Sequence, residues 1–308
     1  MEEMAILQNI FFISSICLDL ILHFICIYSI LKLKSFRNCF GYICLSASIT
    51  ECCLIFLSSF YILYNFETRS SGKFDATVPE RLMGALKSYL WKVLDLQYLF
   101  QSINRCIAIN FPTYYYKKFD TKVSVIYTSS VWILGIFLIL PYMDDRCQYF
   151  YNSFYKTWEM SDSPCRYLIR EILTDYFLIM CFVAELTIDI FVIKTILKRS
   201  RKAQKTKNVV KINQTTPVRT YTIFTKENIF AFQCFYSTIS AFINSIIYGI
   251  IFSIRDPTFD TKFITNAISI LYLSLSSIIL ISCNADVRNL LSEKICKIII
   301  EGKTMLYS

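Results

Sequence analysis

Seven long apolar stretches divide this chain: Ile6–Leu31, Phe40–Tyr64, Ser88–Asn110, Val123–Tyr142, Glu171–Leu197, Asn228–Ile254 and Phe263–Cys283. A hydrocarbon core about 30 Å thick takes about 20 helical residues at about 1.5 Å rise each, and every stretch is long enough. Lipid offers the backbone no hydrogen-bond partners. Each stretch must therefore be helical, although its Ile, Val and Phe favour strands. The short alternating segments of a membrane β-barrel are absent. A soluble helix would show a polar face every 3.6 residues, and these stretches mostly do not. The expectation is an all-α membrane protein, with residues 1–308 forming one seven-transmembrane helix bundle.

The net charge of +9 does not mark a nucleic-acid binder, because the excess is confined to one side. The first, third and fifth connections and the tail carry twenty Lys and Arg; the other connections carry ten, with acids beside them. The positive-inside rule then puts the N-terminus outside the cell and the C-terminus in the cytosol. The first stretch reads as a signal-anchor rather than a cleaved signal peptide, since no basic segment precedes it. The sequon Asn213–Gln214–Thr215 falls on the cytosolic side, where it stays unmodified.

Of thirteen cysteines, most lie inside helices, where Cys acts as a small hydrophobe. Cys147 and Cys165 sit in the second extracellular loop, Met143–Arg170, and are expected to pair in that oxidising compartment. Cys296, in the tail, is a candidate for acylation, with a plain thiol as the alternative.

Acids at membrane depth are the first functional candidates: Asp19, Glu51, Asp95, Glu185 and Asp189. An ionised group at the bilayer centre costs at least about 2.5–3.5 kcal/mol, so each should face the bundle or be neutral. Glu51 lies nearest mid-helix. It reads either as a cation or proton site or as a neutral carboxyl bonded to neighbouring helices. Glu185 and Asp189, one turn apart and near Lys194, read as an ion pair or a helix contact. Asn104 and Arg105 close the third helix, and Glu227 opens the sixth on the same side. An Arg105–Glu227 contact would hold the bundle shut; otherwise Arg105 reaches the headgroups. Tyr89, Trp91 and Tyr98 supply aromatic surface in the outer half of the third helix, for a ligand or as packing.

Enzyme signatures are missing. No HExxH, GxSxG, P-loop or zinc spacing occurs, so neither metal nor cofactor is expected. The single histidine, His23, reads as a core or lipid-edge residue. The seventh stretch has no lysine for a retinal Schiff base.

Several ordered motifs resemble a known family. They are Asn38–Cys39–Phe40–Gly41–Tyr42 with Ser46; Ile103–Asn104–Arg105–Cys106 followed by Phe111–Pro112; Cys147…Trp158…Cys165 with Asp175–Tyr176–Phe177; Lys226–Glu227…Gln233; and Asn284…Arg288. In order and spacing they resemble the nematode serpentine chemoreceptors of class x (Srx), within the rhodopsin-like receptor group. Four features depart from the larger group. Asn104 stands where most members have an acid, and no Cys marks the outer end of the third helix. Asn-Pro-x-x-Tyr is missing from the seventh helix and the kinking Pro from the sixth. Glu51 replaces the amide expected of the family.

The resemblance implies a G-protein-coupled chemosensory receptor in the plasma membrane, including the cilia of sensory neurons. It implies a small-molecule or peptide ligand, and a heterotrimeric G protein facing Arg105, the basic third cytosolic loop and Arg288. The alternative is a seven-helix ligand-gated channel or a transporter. Transporters favour Gly- or Pro-broken helices, which six glycines and no mid-helix proline do not supply.

Overall fold

The computed structural model describes residues 2–64, 78–144, 146–147, 149–152, 157–160, 176–209, 218–252 and 259–306, with single residues of 165–169. The helices are α1 (Glu2–Lys32), α2 (Cys39–Tyr64), α3 (Val78–Asn110), α4 (Pro112–Lys118), α5 (Thr121–Ile139), α6 (Phe177–Val209), α7 (Val218–Phe252), α8 (Phe259–Cys283) and α9 (Ala285–Leu306). Seven of them form the bundle; α4 is a short turn after α3, and α9 leaves α8 at 89°. α3 is central and touches α2, α5, α6 and α7, while α1 closes the ring between α2 and α8.

Local signals fix the ends. Pro112 opens α4, where its missing N–H costs nothing. Asp120 caps α5 by accepting from the Val123 N–H at 2.8 Å. Asn284 caps α9 by accepting from the N–H groups of Asp286 and Val287. Asn38 does the same for α2: its Oδ1 accepts from the Gly41 N–H at 3.0 Å, and its amide donates to the Ser35 carbonyl at 2.9 Å. Gly41 is required there, because a Cβ would overlap the backbone of Phe36. The Asn38–Gly41 motif is thus a close chain crossing before α2.

The helices are turned polar side in. On α1, Phe12, Ile16, Asp19, His23, Cys26 and Ile30 recur at three- and four-residue steps and are buried. Ile10, Phe11, Leu18, Ile21 and Phe24 on the same helix are exposed. Large apolar side chains at the surface and Glu51, Gln97, Asn104, Arg105, Glu185 and Asp189 inside are the arrangement of a bundle whose solvent is lipid. By length and composition, Ile10–Lys32, Cys39–Ser59, Thr121–Tyr142 and the bent pair Ala267–Cys283 with Ala285–Lys294 qualify as spans among the described residues. α3 and α6 fall short because of the charges they carry at this depth, Lys92, Asp95 and Arg105 on α3 and Glu185, Asp189 and Lys194 on α6.

Three helices outrun their apolar stretches: α3 begins at Val78, ten residues before Ser88. α6 continues to Val209 and α7 begins at Val218, so much of the connection read as a polar loop is helix. Once lipid has ordered the apolar part, adding further residues is cheap propagation, not costly nucleation. Residues 171–175 and 210–217, with Asn213, lie outside the described residues.

The second loop forms a hairpin, β1 (Tyr149–Asn152) against β2 (Thr157–Met160), antiparallel, with Tyr151 opposite Trp158. It lies on the bundle mouth, β1 on α3 and β2 on α8. The disulfide Cys147–Cys165 ties its two flanks. Just before it, Arg146 donates to both Asp144 carboxylate oxygens, at 3.0 and 2.8 Å, and holds that carboxyl down at about 2. Cross-linking a segment of this length stabilises by about 3 kcal/mol in the loop-entropy account. Replacing both Cys147 and Cys165 with Ser is expected to lower stability by about 2–4 kcal/mol, read by thermal unfolding with and without reductant. Only the parent should respond to the reductant.

Candidate functional site

Three groups of buried polar side chains occupy the bundle interior. The first joins α1, α2, α3 and α8. Glu51 is 1% exposed and accepts from the Tyr98 hydroxyl at 2.6 Å. His23 Nδ1 lies 3.4 Å from the other Glu51 oxygen and 2.9 Å from Ser277 Oγ. Ser276 also bonds Glu51, Ser274 donates to Asp19, and Tyr98 bonds Tyr272. Beside this group, Gln97 donates to Ser46 at 2.7 Å and Thr50 at 3.1 Å, and the Trp132 indole donates to Ser46 at 2.9 Å.

His23 is therefore a fully buried member of the Glu51 group, not a lipid-edge residue. The signal for it was present: Asp19, His23 and Cys26 share the α1 stripe with Phe12 and Ile16. That spacing gives a common face but not the facing helix.

The second group joins α3, α6 and α7. Asp189 accepts from the Thr238 hydroxyl at 2.8 Å and bonds Ser102. Glu185 is buried one turn away, and Asp95 faces it from α3 beside Lys92. Lys92 also stands over the Phe177 ring, 5.2 Å from its centroid. Lys194 does not pair with these acids. Five residues past Asp189 is about 140° around a helix, and Lys194 points outward. Among the described residues, no set of His, Cys, Asp and Glu is arranged to hold a metal ion.

The third group closes the other end of the bundle. Arg105 is fully buried. Its guanidinium lies 4.0 Å from the Phe40 ring centroid on α2 and 5.3 Å from that of Phe230 on α7. It donates to Asn104 Oδ1 at 3.0 Å, which also accepts from the Tyr115 hydroxyl of α4 at 3.1 Å. Asn104 thus fills the place of the missing acid with a neutral acceptor. Burial removes Arg105 from the headgroups and from the charge tally of the loops. The Glu227 side chain lies outside those described. Nearby, Arg199 of α6 donates to the Ile109 carbonyl of α3 at 2.6 Å. Arg288 donates to the carbonyls of Ile281 and Ser282 at the C-terminus of α8, where a cation complements the helix dipole.

The three aromatics of α3 point different ways. The Tyr89 hydroxyl donates to the Trp132 carbonyl of α5 at 3.0 Å, Trp91 stacks on Tyr272 at 6.2 Å, and Tyr98 joins the Glu51 group. At the mouth, Trp158 of the hairpin is 8% exposed, stacks on Tyr149 at 5.8 Å, and carries the Lys87 ammonium 4.7 Å over its ring. It shares one apolar cluster with Leu90, Leu94, Ala267 and Ile270.

No curated protein matches the chain. The sequence model of one family does, described as serpentine type 7TM GPCR chemoreceptor Srx, over residues 11–284. That range runs from the lipid face of α1 through the hairpin and the Arg105 end to the α9 cap, and it names a receptor class rather than an enzyme. The chain is a multi-pass membrane protein and belongs to the Srx family of serpentine seven-transmembrane chemoreceptors.

Proposed function

We propose that this chain is a G-protein-coupled chemosensory receptor, placed in the plasma membrane with its N-terminus outside, including the membrane of sensory cilia. A small molecule or short peptide binds from outside beneath the hairpin, where Trp91 and Tyr272 offer aromatic surface in the same cluster as Trp158. Tyr98 links that region to Glu51; Asp95 and Asp189 supply polar positions between α3, α6 and α7; Tyr89 steadies α3 against α5. Asn104, Arg105, Glu227 and Arg288 form the end that meets the G protein. The observation that carries this reading is the buried Arg105, clasped between α2 and α7. A ligand shifts the bundle only through unequal affinity for its two arrangements. Parting α7 from α2 would uncover a charge that the resting bundle hides.

The test is expression with a broadly coupling G protein against an odorant panel, with Arg105→Ala as the control. A ligand response that vanishes in Arg105→Ala supports the reading. Ligand-evoked current without any G protein would favour a channel instead. An epitope at Met1 that antibody reaches only after permeabilisation would reverse the orientation.

A further inference from the structure

The outer face of α6 changes character at one level. Met180, Val183, Ile190 and Phe191 are exposed apolar residues on the arc turned away from α3. On the same arc follow Lys194, Leu197, Lys198, Arg201 and Lys202, all exposed. The inward arc is set independently: Asp189, Val192 and Ile196 are buried, and Arg199 is held by the Ile109 carbonyl. The register of α6 is thus fixed, and the four cations cannot be turned into the bundle. They span about 12 Å of helix at about 1.5 Å per residue. Together with Leu197 they line an open groove of about 470 Å³.

We propose that this groove is a binding site for a membrane lipid with a polyphosphorylated headgroup, of the phosphoinositide class. An apolar arc that becomes basic marks the passage from acyl chains to headgroups, so the groove faces lipid. Clusters of Lys and Arg at such a level recognise anionic lipids. Four cations converging on one groove outnumber what a single phosphodiester requires and match a headgroup with several phosphates. Leu197, beside them, meets the acyl chains. A G protein would instead approach the end of the bundle near Arg105, away from the hairpin and on the opposite side of α6. The proposal rests on the orientation proposed above, which puts this end of α6 at the cytosolic leaflet where such lipids reside, and it stands whether or not the receptor couples to a G protein. A lipid held here would bias the position of α6 against α3 through Arg199.

The test uses the full chain in detergent, titrated with phosphatidylinositol bisphosphate and followed by native mass spectrometry. The parent should retain the lipid in preference to phosphatidylserine and phosphatidylcholine. The variant Lys194→Gln, Lys198→Gln, Arg201→Gln, Lys202→Gln should lose it, with affinity falling about fivefold per charge removed. A second variant, Lys117→Gln with Lys118→Gln, removes exposed charge from α4 and should bind as the parent does. Thermal unfolding of all three checks that they are folded. Equal loss in both variants would reduce the effect to diffuse surface charge and overturn the proposal. So would retention by the fourfold variant, or equal affinity for free inositol trisphosphate, which would make the ligand a soluble phosphate. Loss of G-protein association with lipid binding intact would reassign the face to a protein partner.

Discussion

Glu51→Ala is expected to lower the unfolding free energy by about 3–5 kcal/mol, the combined cost of an unsatisfied buried hydrogen-bonding group and a cavity. Two effects add. The Tyr98 hydroxyl loses its 2.6 Å acceptor and His23 its carboxylate neighbour, in a place where water does not replace them. The truncated side chain also leaves a cavity among α1, α2, α3 and α8. Glu51→Gln separates the two contributions. It keeps the volume and an acceptor for Tyr98, so its cost should stay within about 1.5 kcal/mol. Thermal unfolding of purified receptor reads both. Equal costs for Ala and Gln would show that charge, not hydrogen bonding and volume, holds the group together. A cost below about 1 kcal/mol for Ala would remove the group from any structural role. His23→Ala should be smaller in effect than Glu51→Ala, because Ser277 and Glu51 both keep other neighbours.

Phe230→Leu is expected to raise ligand-independent signalling about tenfold. Phe230 lies 4.7 Å from Phe40 and 5.5 Å from Phe36, ring centroid to centroid, and flanks the Arg105 guanidinium. Leu keeps most of the apolar volume but removes the π-face. A desolvated cation–π contact contributes about 2 kcal/mol, and an aromatic pair about 0.5–1.5 kcal/mol more. Losing part of this sum from the closed arrangement alone, about 1.4 kcal/mol, is a tenfold shift. Basal second-messenger level at matched surface expression is the readout. Glu227→Ala is the comparison: if it raises basal signalling and Phe230→Leu does not, the closing contact is ionic and the aromatic clasp is only packing. No change in either would dismiss a latch at this end altogether.

The consequence of the aromatic clasp is a different dependence on salt. An ion pair at the cytosolic surface weakens as ionic strength rises, over a screening length of about 8–10 Å. Arg105 is buried between rings, so its hold on α7 should be little affected.

What the linear chain determined is what lipid enforces one segment at a time. Apolar length sets where helices cross, loop charge predicts which ends face the cytosol, and two cysteines in one extracellular loop suffice to propose their bond. The Asn38–Gly41 and Asn284 positions were visible as motifs; their capping geometry gives them a cause. Rotation and pairing were not legible. A lipid-facing helix shows little contrast between its faces, so Ile6–Leu31 does not announce that His23 turns toward Glu51. Arg105 reads as a latch to Glu227 or as a headgroup contact until α2 and α7 bring Phe40 and Phe230 to it. The seat of the hairpin, too, was not legible: only the packed bundle shows that Tyr149–Asn152 rests on α3 and Thr157–Met160 on α8. Such contacts join residues far apart in sequence, and only the packed bundle decides which faces meet.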